Sequence, residues 1–215
     1  MGRDKALLPH AAGGTWLEQG LRRLIELERL LERQTPLPIT VFSRHRAHQE
    51  LAEQLARQLR REQRPDAPTW PAISALAEPP PWEGPLLALH RLMQLHPDQR
   101  LLLCPVDMPD LGAAVLQRLL AAAEAEPAAI HLAHDGQRLQ PLLGVVPSTA
   151  AHRASLETAI NGGERRLQSW LAGQACRPVA LDPMAIRNVN RPEELGQAEP
   201  LPCVRPMGHA NAPLG

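Results

Sequence analysis

Arg100-Leu-Leu-Leu-Cys-Pro-Val-Asp-Met-Pro109 is a short apolar run that breaks into a loop holding one carboxylate, Asp107, between two prolines. Three consecutive leucines without polar alternation suit a strand buried on both faces. Pro105, which has no N–H to give to a ladder, ends it. On the amino-terminal side, Leu17, Leu21, Leu24, Ile25 and Leu31 repeat at helical period behind Thr15 and Glu18, which stand at capping-box spacing. They predict a helix from about Trp16 to Arg33. Pro36 and Pro38 stop it, and residues 37–43 read as a buried strand around Ile39, Val41 and Phe42. Leu51, Leu55 and Leu59 mark a second, strongly charged helix ending near Arg64. Pro65, Pro68, Pro71, Pro79, Pro80 and Pro81 leave room only for a short strand near Trp70 to Ile73, and a helix follows from Gly84 to about His96.

On the carboxyl-terminal side a helix is expected from about Leu111 to Glu124. Two strands, 128–134 and 138–146, flank the hairpin signal Asp135-Gly136. A helix from about Ser148 to Ile160 follows, then a shorter one carrying Arg165, Leu167 and Trp170 after Gly162-Gly163, and a last strand over 176–181. Pro192 to Leu195 opens a closing helix. From about Gln197 the Pro-rich tail reads as disordered.

This alternation specifies an α/β fold, a doubly wound, mostly parallel sheet covered on both faces with one antiparallel hairpin excursion. The 215 residues suit one core, with a single domain over 1–196 and a tail over 197–215. Ligands of such sheets bind beyond the carboxyl ends of the strands. Chemistry is therefore sought in loops 105–109 and 187–190 and in the amino-terminal segment.

Composition narrows the partners. Lys+Arg and Asp+Glu both number 23, so the chain lacks the positive field of a duplex-binding protein. With four Trp, one Phe and no Tyr it cannot readily assemble a base-stacking platform. Nucleic acid is not an expected partner. No apolar run approaches the roughly 20 residues that cross a bilayer, and no membrane partner is expected. Cys104, Cys176 and Cys203 are widely spaced and follow no secretory signal, so they read as reduced thiols in the cytoplasm.

The basic residues are 22 Arg and one Lys, Lys5. Where Lys survives such a bias, its compact ammonium is a candidate for chemistry that the planar guanidinium does not replace. Gly2, Arg3, Asp4 and Lys5 gather backbone amides and two cations ahead of the first helix, an arrangement suited to a phosphate group and equally to a flexible terminus. Asp107 offers a hard oxygen ligand at the mouth of the sheet. Asn188 and Asn190, two of only four Asn, point their amides to one side in extended backbone, which fits either a metal or substrate site or Asx-type capping ahead of Pro192. His131 and His134 are three apart on a strand and face opposite surfaces, which argues against a metal pair. Residues 162–166 form a basic turn at a helix start, open to an anion or simply solvated.

Five segments occur in order: Met1-Gly-Arg-Asp-Lys-Ala-Leu-Leu8, Gly84-Pro-Leu86, Leu103-Cys-Pro-Val-Asp-Met-Pro109, Gly163-Glu-Arg-Arg-Leu167 and Asn188-Val-Asn-Arg-Pro-Glu-Glu-Leu195. Together, over about residues 1–195, they resemble the molybdenum cofactor guanylyltransferases, within the Rossmann-like nucleotidyltransferases. The resemblance implies that GTP and molybdenum-bearing molybdopterin give the guanine dinucleotide cofactor and pyrophosphate, with Mg2+ required. It implies that Lys5 holds the triphosphate and that Asp107 carries the magnesium. Gly2, Arg3 and Gly84 fall in the nucleotide loops, and Asn188 and Asn190 on the molybdopterin and metal side. Molybdoenzymes or cofactor chaperones are the implied protein partners.

Three departures from the family pattern stand out. The family begins with a buried strand and a Gly-rich loop, and Met1 falls on the methionine that leads into its lysine. The expectation is that the native product starts upstream by about one strand and one loop, since a doubly wound sheet without its first strand loses a central row of hydrogen bonds. Ala88 stands where the family tends to glycine, and Glu78 is the candidate for the acidic residue before Gly84, so guanine selection is open. The alternatives are cytidylyl or sugar-phosphate nucleotidyl transfer, and a catalytically inactive binding member of the fold.

Overall fold

The computed structural model describes residues 4–31, 33, 35–62 and 71–189. In chain order they form a 3-10 turn Lys5–Leu7, then α1 Trp16–Leu31, β1 Ile39–Ser43, α2 Arg46–Glu62, β2 Ile73–Ala77, α3 Pro85–Leu95 and β3 Arg100–Leu103. There follow α4 Ala113–Ala125, β4 Ile130–His134, β5 Leu139–Pro147, α5 Ala150–Asn161, α6 Leu167–Ala172 and β6 Cys176–Ala180. The helix and strand pattern read from periodicity is recovered, with one shift. The strand expected near Trp70 to Ile73 begins only at Ile73, because Ile73-Ser-Ala-Leu-Ala77 can pair in register with the whole of β1. The closing helix and the tail lie outside the described residues. Among the described residues no helix is long and apolar enough to cross a membrane.

β1 and β2 pair in parallel, Ile39 opposite Ile73 through Ser43 opposite Ala77. A second sheet has the order β3-β5-β4-β6. In it β4 and β6 are parallel, while β5, the return strand of the Asp135-Gly136 hairpin, runs antiparallel to both neighbours. Leu143 and Val145 of β5 face a core with Leu27 of α1 and Leu116 and Leu119 of α4. Val146 faces the opposite core with Leu86 and Met93 of α3, Leu156 of α5 and Trp170 of α6. Helices thus cover both faces, as a doubly wound sheet requires. A third apolar cluster joins Leu17, Leu21 and Ile25 of α1 to Ile39 and Val41 of β1 and to Leu55 and Leu59 of α2.

The two sheets face each other across a slot. The Ile39 amide donates to the Ala72 carbonyl at 2.8 Å, so by alternation Thr40 and Phe42 present their N–H and C=O groups away from β2. On β3, the Ser148 amide donates to the Gln99 carbonyl at 2.7 Å. That phase turns Leu101 and Leu103 toward β5 and Arg100 and Leu102 away from it. Both free edges line the same space, a cavity of about 420 Å³ bounded by Ile39, Thr40, Leu101, Leu102, Cys104 and Leu24. It is continued by one of about 230 Å³ that reaches Ala6, Phe42 and Ser43.

Candidate active site

Asp107 is delivered by the loop between β3 and α4, and that loop is tied from three directions. The Val189 amide donates to the Asp107 carbonyl at 3.0 Å, which draws in the segment after β6. From α1, Arg23 donates to the Met108 carbonyl at 3.2 Å and also to the Pro109 carbonyl. The His10 ring lies 3.4 Å from that second carbonyl, and Arg187 pairs with Asp110 at 2.6 Å. Burial lowers the Arg23 guanidinium from its usual range, while Cys104, Asp110 and Glu26 act the other way. With its backbone so held, the Asp107 carboxylate projects with a third of its surface exposed and meets Lys5 Nζ at 3.5 Å.

Lys5 opens the 3-10 turn. Asp4 caps that turn, its Oδ1 accepting the Ala6 amide at 3.1 Å. Asp4 Oδ2 lies 2.7 Å from His48 Nε2 on α2, and His48 Nδ1 lies 2.8 Å from Ser43 Oγ at the end of β1. Neither Arg23 nor His48 stood out in the sequence. One is among 22 arginines and the other is a polar residue on a charged helix, and only tertiary contact distinguishes them.

Asn188 reaches the same region through its neighbour Val189, and its side-chain amide donates to Gln140 Oε1 at 3.5 Å. Gln140 is buried on β5 and donates to Asp135 Oδ2 at 2.8 Å. Asp135 Oδ1 accepts the amides of Gln137 and Arg138, each at 2.9 Å. These bonds, that of Arg138 foremost, hold the Asp135 carboxyl down at about 2. Gln140 is the third polar group that the sequence did not signal.

Gly84 caps α3 at φ 99, a left-handed conformation that favours glycine although a Cβ would meet nothing there. It lies past the carboxyl end of β2, outside the hydrogen-bonded group around Lys5 and Asp107. Glu78 is engaged by Arg91 at 3.3 Å, with both side chains largely buried. The basic turn at 162–166 is not an open anion site. Glu164 Oε1 takes the amides of Arg165 at 2.8 Å and Arg166 at 2.7 Å, so the chain's own carboxylate occupies the start of α6. The His131 ring is buried with Nδ1 3.1 Å from the Ala129 carbonyl, and His134 Nδ1 accepts the Gly136 amide at 3.0 Å. Gly2, Arg3 and Asn190 lie outside the described residues.

Chemically, one ammonium and one carboxylate stand together at the carboxyl edge of the strands, backed by a side-chain amide. Among the described residues no cluster of three or more metal-ligating side chains occurs. The donor set still fits Mg2+, which is held through one or two carboxylates and takes its remaining oxygens from phosphates and water.

The MobA-like NTP transferase domain matches residues 1–179. The chain belongs to this family. It is therefore a nucleotidyltransferase. A probable molybdenum cofactor guanylyltransferase of Rhodopirellula baltica is 32% identical over 201 residues, covering 91% of this chain and 84% of that protein. The molybdenum cofactor guanylyltransferase of Shewanella loihica is 37% identical over 118 residues, covering 53% of this chain and 58% of that protein. Among solved structures, a molybdopterin-guanine dinucleotide biosynthesis protein A from Archaeoglobus fulgidus superposes with TM-score 0.55 at 17% identity, covering 90% of this chain and 88% of that one. A 2-C-methyl-D-erythritol 4-phosphate cytidylyltransferase from Thermus thermophilus gives 0.51 at 15% identity, covering 91% of each. The structural likenesses support the Rossmann-like nucleotidyltransferase fold.

Proposed function

We propose that this nucleotidyltransferase moves GMP from GTP onto molybdenum-bearing molybdopterin, releasing pyrophosphate. The observation that carries the reading is the 3.5 Å pairing of Lys5 with Asp107, on a loop whose backbone also binds the Asn188 segment. The names of the relatives supply the substrate class. In the reaction a terminal phosphate oxygen of molybdopterin attacks the α-phosphorus of GTP in line. The new P–O bond forms as the bond to the β-phosphate oxygen breaks, and pyrophosphate leaves with that electron pair. The nucleophile is already anionic, so positioning and charge neutralisation dominate over base catalysis. Lys5 binds the β- and γ-phosphates and stabilises the departing charge. Asp107 and the Asn188 amide hold the metal and pterin side. Asp107 would hold Mg2+, which when bound would supply neutralisation of the phosphate charge.

The test is pyrophosphate release by the purified protein with Mg2+, molybdopterin and each nucleoside triphosphate in turn. Release with GTP alone supports guanylyl transfer. Release with CTP instead makes the protein a cytidylyltransferase, and none with any triphosphate overturns the reading in favour of an inactive binding member.

A further inference from the structure

We propose that His48 is a positioning residue for Lys5, acting through Asp4. This rests on the reading of Lys5 as the phosphate-binding ammonium. The chain of contacts is continuous. Ser43 Oγ accepts the His45 amide at 3.1 Å and lies 2.8 Å from His48 Nδ1. His48 Nε2 donates to the Asp4 carboxylate at Oδ2, 2.7 Å away. Asp4 Oδ1 accepts the Ala6 amide at 3.1 Å, closing the turn from which the Lys5 side chain extends to Asp107. Asp4 thus accepts from both sides, from His48 on α2 and from Ala6 in the turn.

The physical need is specific. Asp4 is the immediate neighbour of Lys5, and a freely rotating Asp4 carboxylate would compete with Asp107 and with bound phosphate for the ammonium. His48, only 12% exposed in its side chain, removes that freedom by engaging the second carboxylate oxygen from the rigid side of the fold. Serine, histidine and aspartate in this order also resemble an acyl-transfer triad. The Ser43 hydroxyl, however, is half-buried and already receives the His45 amide at the start of α2, so its work here is anchorage.

Lys5 is the sole lysine, which permits a readout independent of turnover. Reductive methylation with 13C-formaldehyde gives one side-chain dimethylamine resonance, distinct from that of the amino terminus. In His48→Phe the Lys5 resonance is expected to shift and broaden, and the KM for GTP to rise about tenfold with a smaller change in kcat. His48→Gln, whose amide N–H reaches Asp4, should recover most of both. Asp4→Asn serves if His48→Phe does not fold. Its oxygen keeps the Ala6 cap while its NH2 turns a donor toward the His48 donor, and the Lys5 resonance should move in the same sense. A Lys5 resonance unchanged in every folded variant overturns the proposal even if guanylyl transfer is active. Absence of pyrophosphate in the wild type would overturn the proposed function and leave the resonance test standing.

Discussion

Lys5 and Asp107 pair at a half-open surface, and that exposure separates the catalytic role proposed for them from their structural worth. An ion pair so solvated contributes about 0–1 kcal/mol to stability, whereas loss of a charged partner in a transition state costs about 2.7–4 kcal/mol, or 10²- to 10³-fold in rate. Lys5→Ala should therefore lower pyrophosphate release by about that factor while the melting temperature stays nearly unchanged. A parallel loss of both would assign the pair to stability. Asp135 works in the opposite sense, as a purely structural carboxylate. Its folded value of about 2, set by the amides of Arg138 and Gln137 and by Gln140, lies below the ordinary carboxyl value of about 4. The stability it contributes is fully present above about pH 4 and is lost as pH falls through 2. Denaturant midpoints of wild type and Asp135→Asn should differ most at neutral pH and converge near pH 2, and a gap that persists in acid would contradict this cause. Residue identity alone singled out Lys5 and Asp107, because one is unique and the other ends an apolar run. His48, Arg23 and Gln140 were not legible, since each acts on a group far away in sequence and carries no local pattern.

At the scale of elements, β5 contains the tightest constraint. A Cβ on Gly144 would collide with the His131 carbonyl and lie 2.8 Å from Leu132 Cδ2, beside the irregularity in register between Leu132 and Ala133. Gly144→Ala must push β4 and β5 apart, at a cost of about 1–3 kcal/mol. Equilibrium unfolding in urea measures it, and a cost below about 0.5 kcal/mol, the scatter of unremarkable surface changes, would mean that the strands yield. Helices were legible because their apolar faces recur over three or more turns. β2 was displaced by three residues because strand ends are set by the partner, and β1 selects Ile73–Ala77. The basic turn at 162–166 was read from its charges, but the outcome depended on the Glu164 rotamer, which no spacing encodes. That carboxyl is held below its usual range first by the Arg166 amide and then by the Arg165 amide.

At the scale of the molecule, the sheets β1-β2 and β3-β5-β4-β6 are held together, among the described residues, by helices around a slot rather than by a shared ladder.

Element order and the two-sided covering of the sheet were determined by local sequence, because periodicity and proline placement act within a few residues. Tertiary structure alone decided which loops meet. The Asp107 carbonyl finds the Val189 amide, Arg23 finds the carbonyls after Asp107, and His48 finds Asp4. Those bonds join segments 44 to 85 or more residues apart, and their partners are chosen by the packing of helices on a sheet, a property of the whole chain that no window of sequence contains.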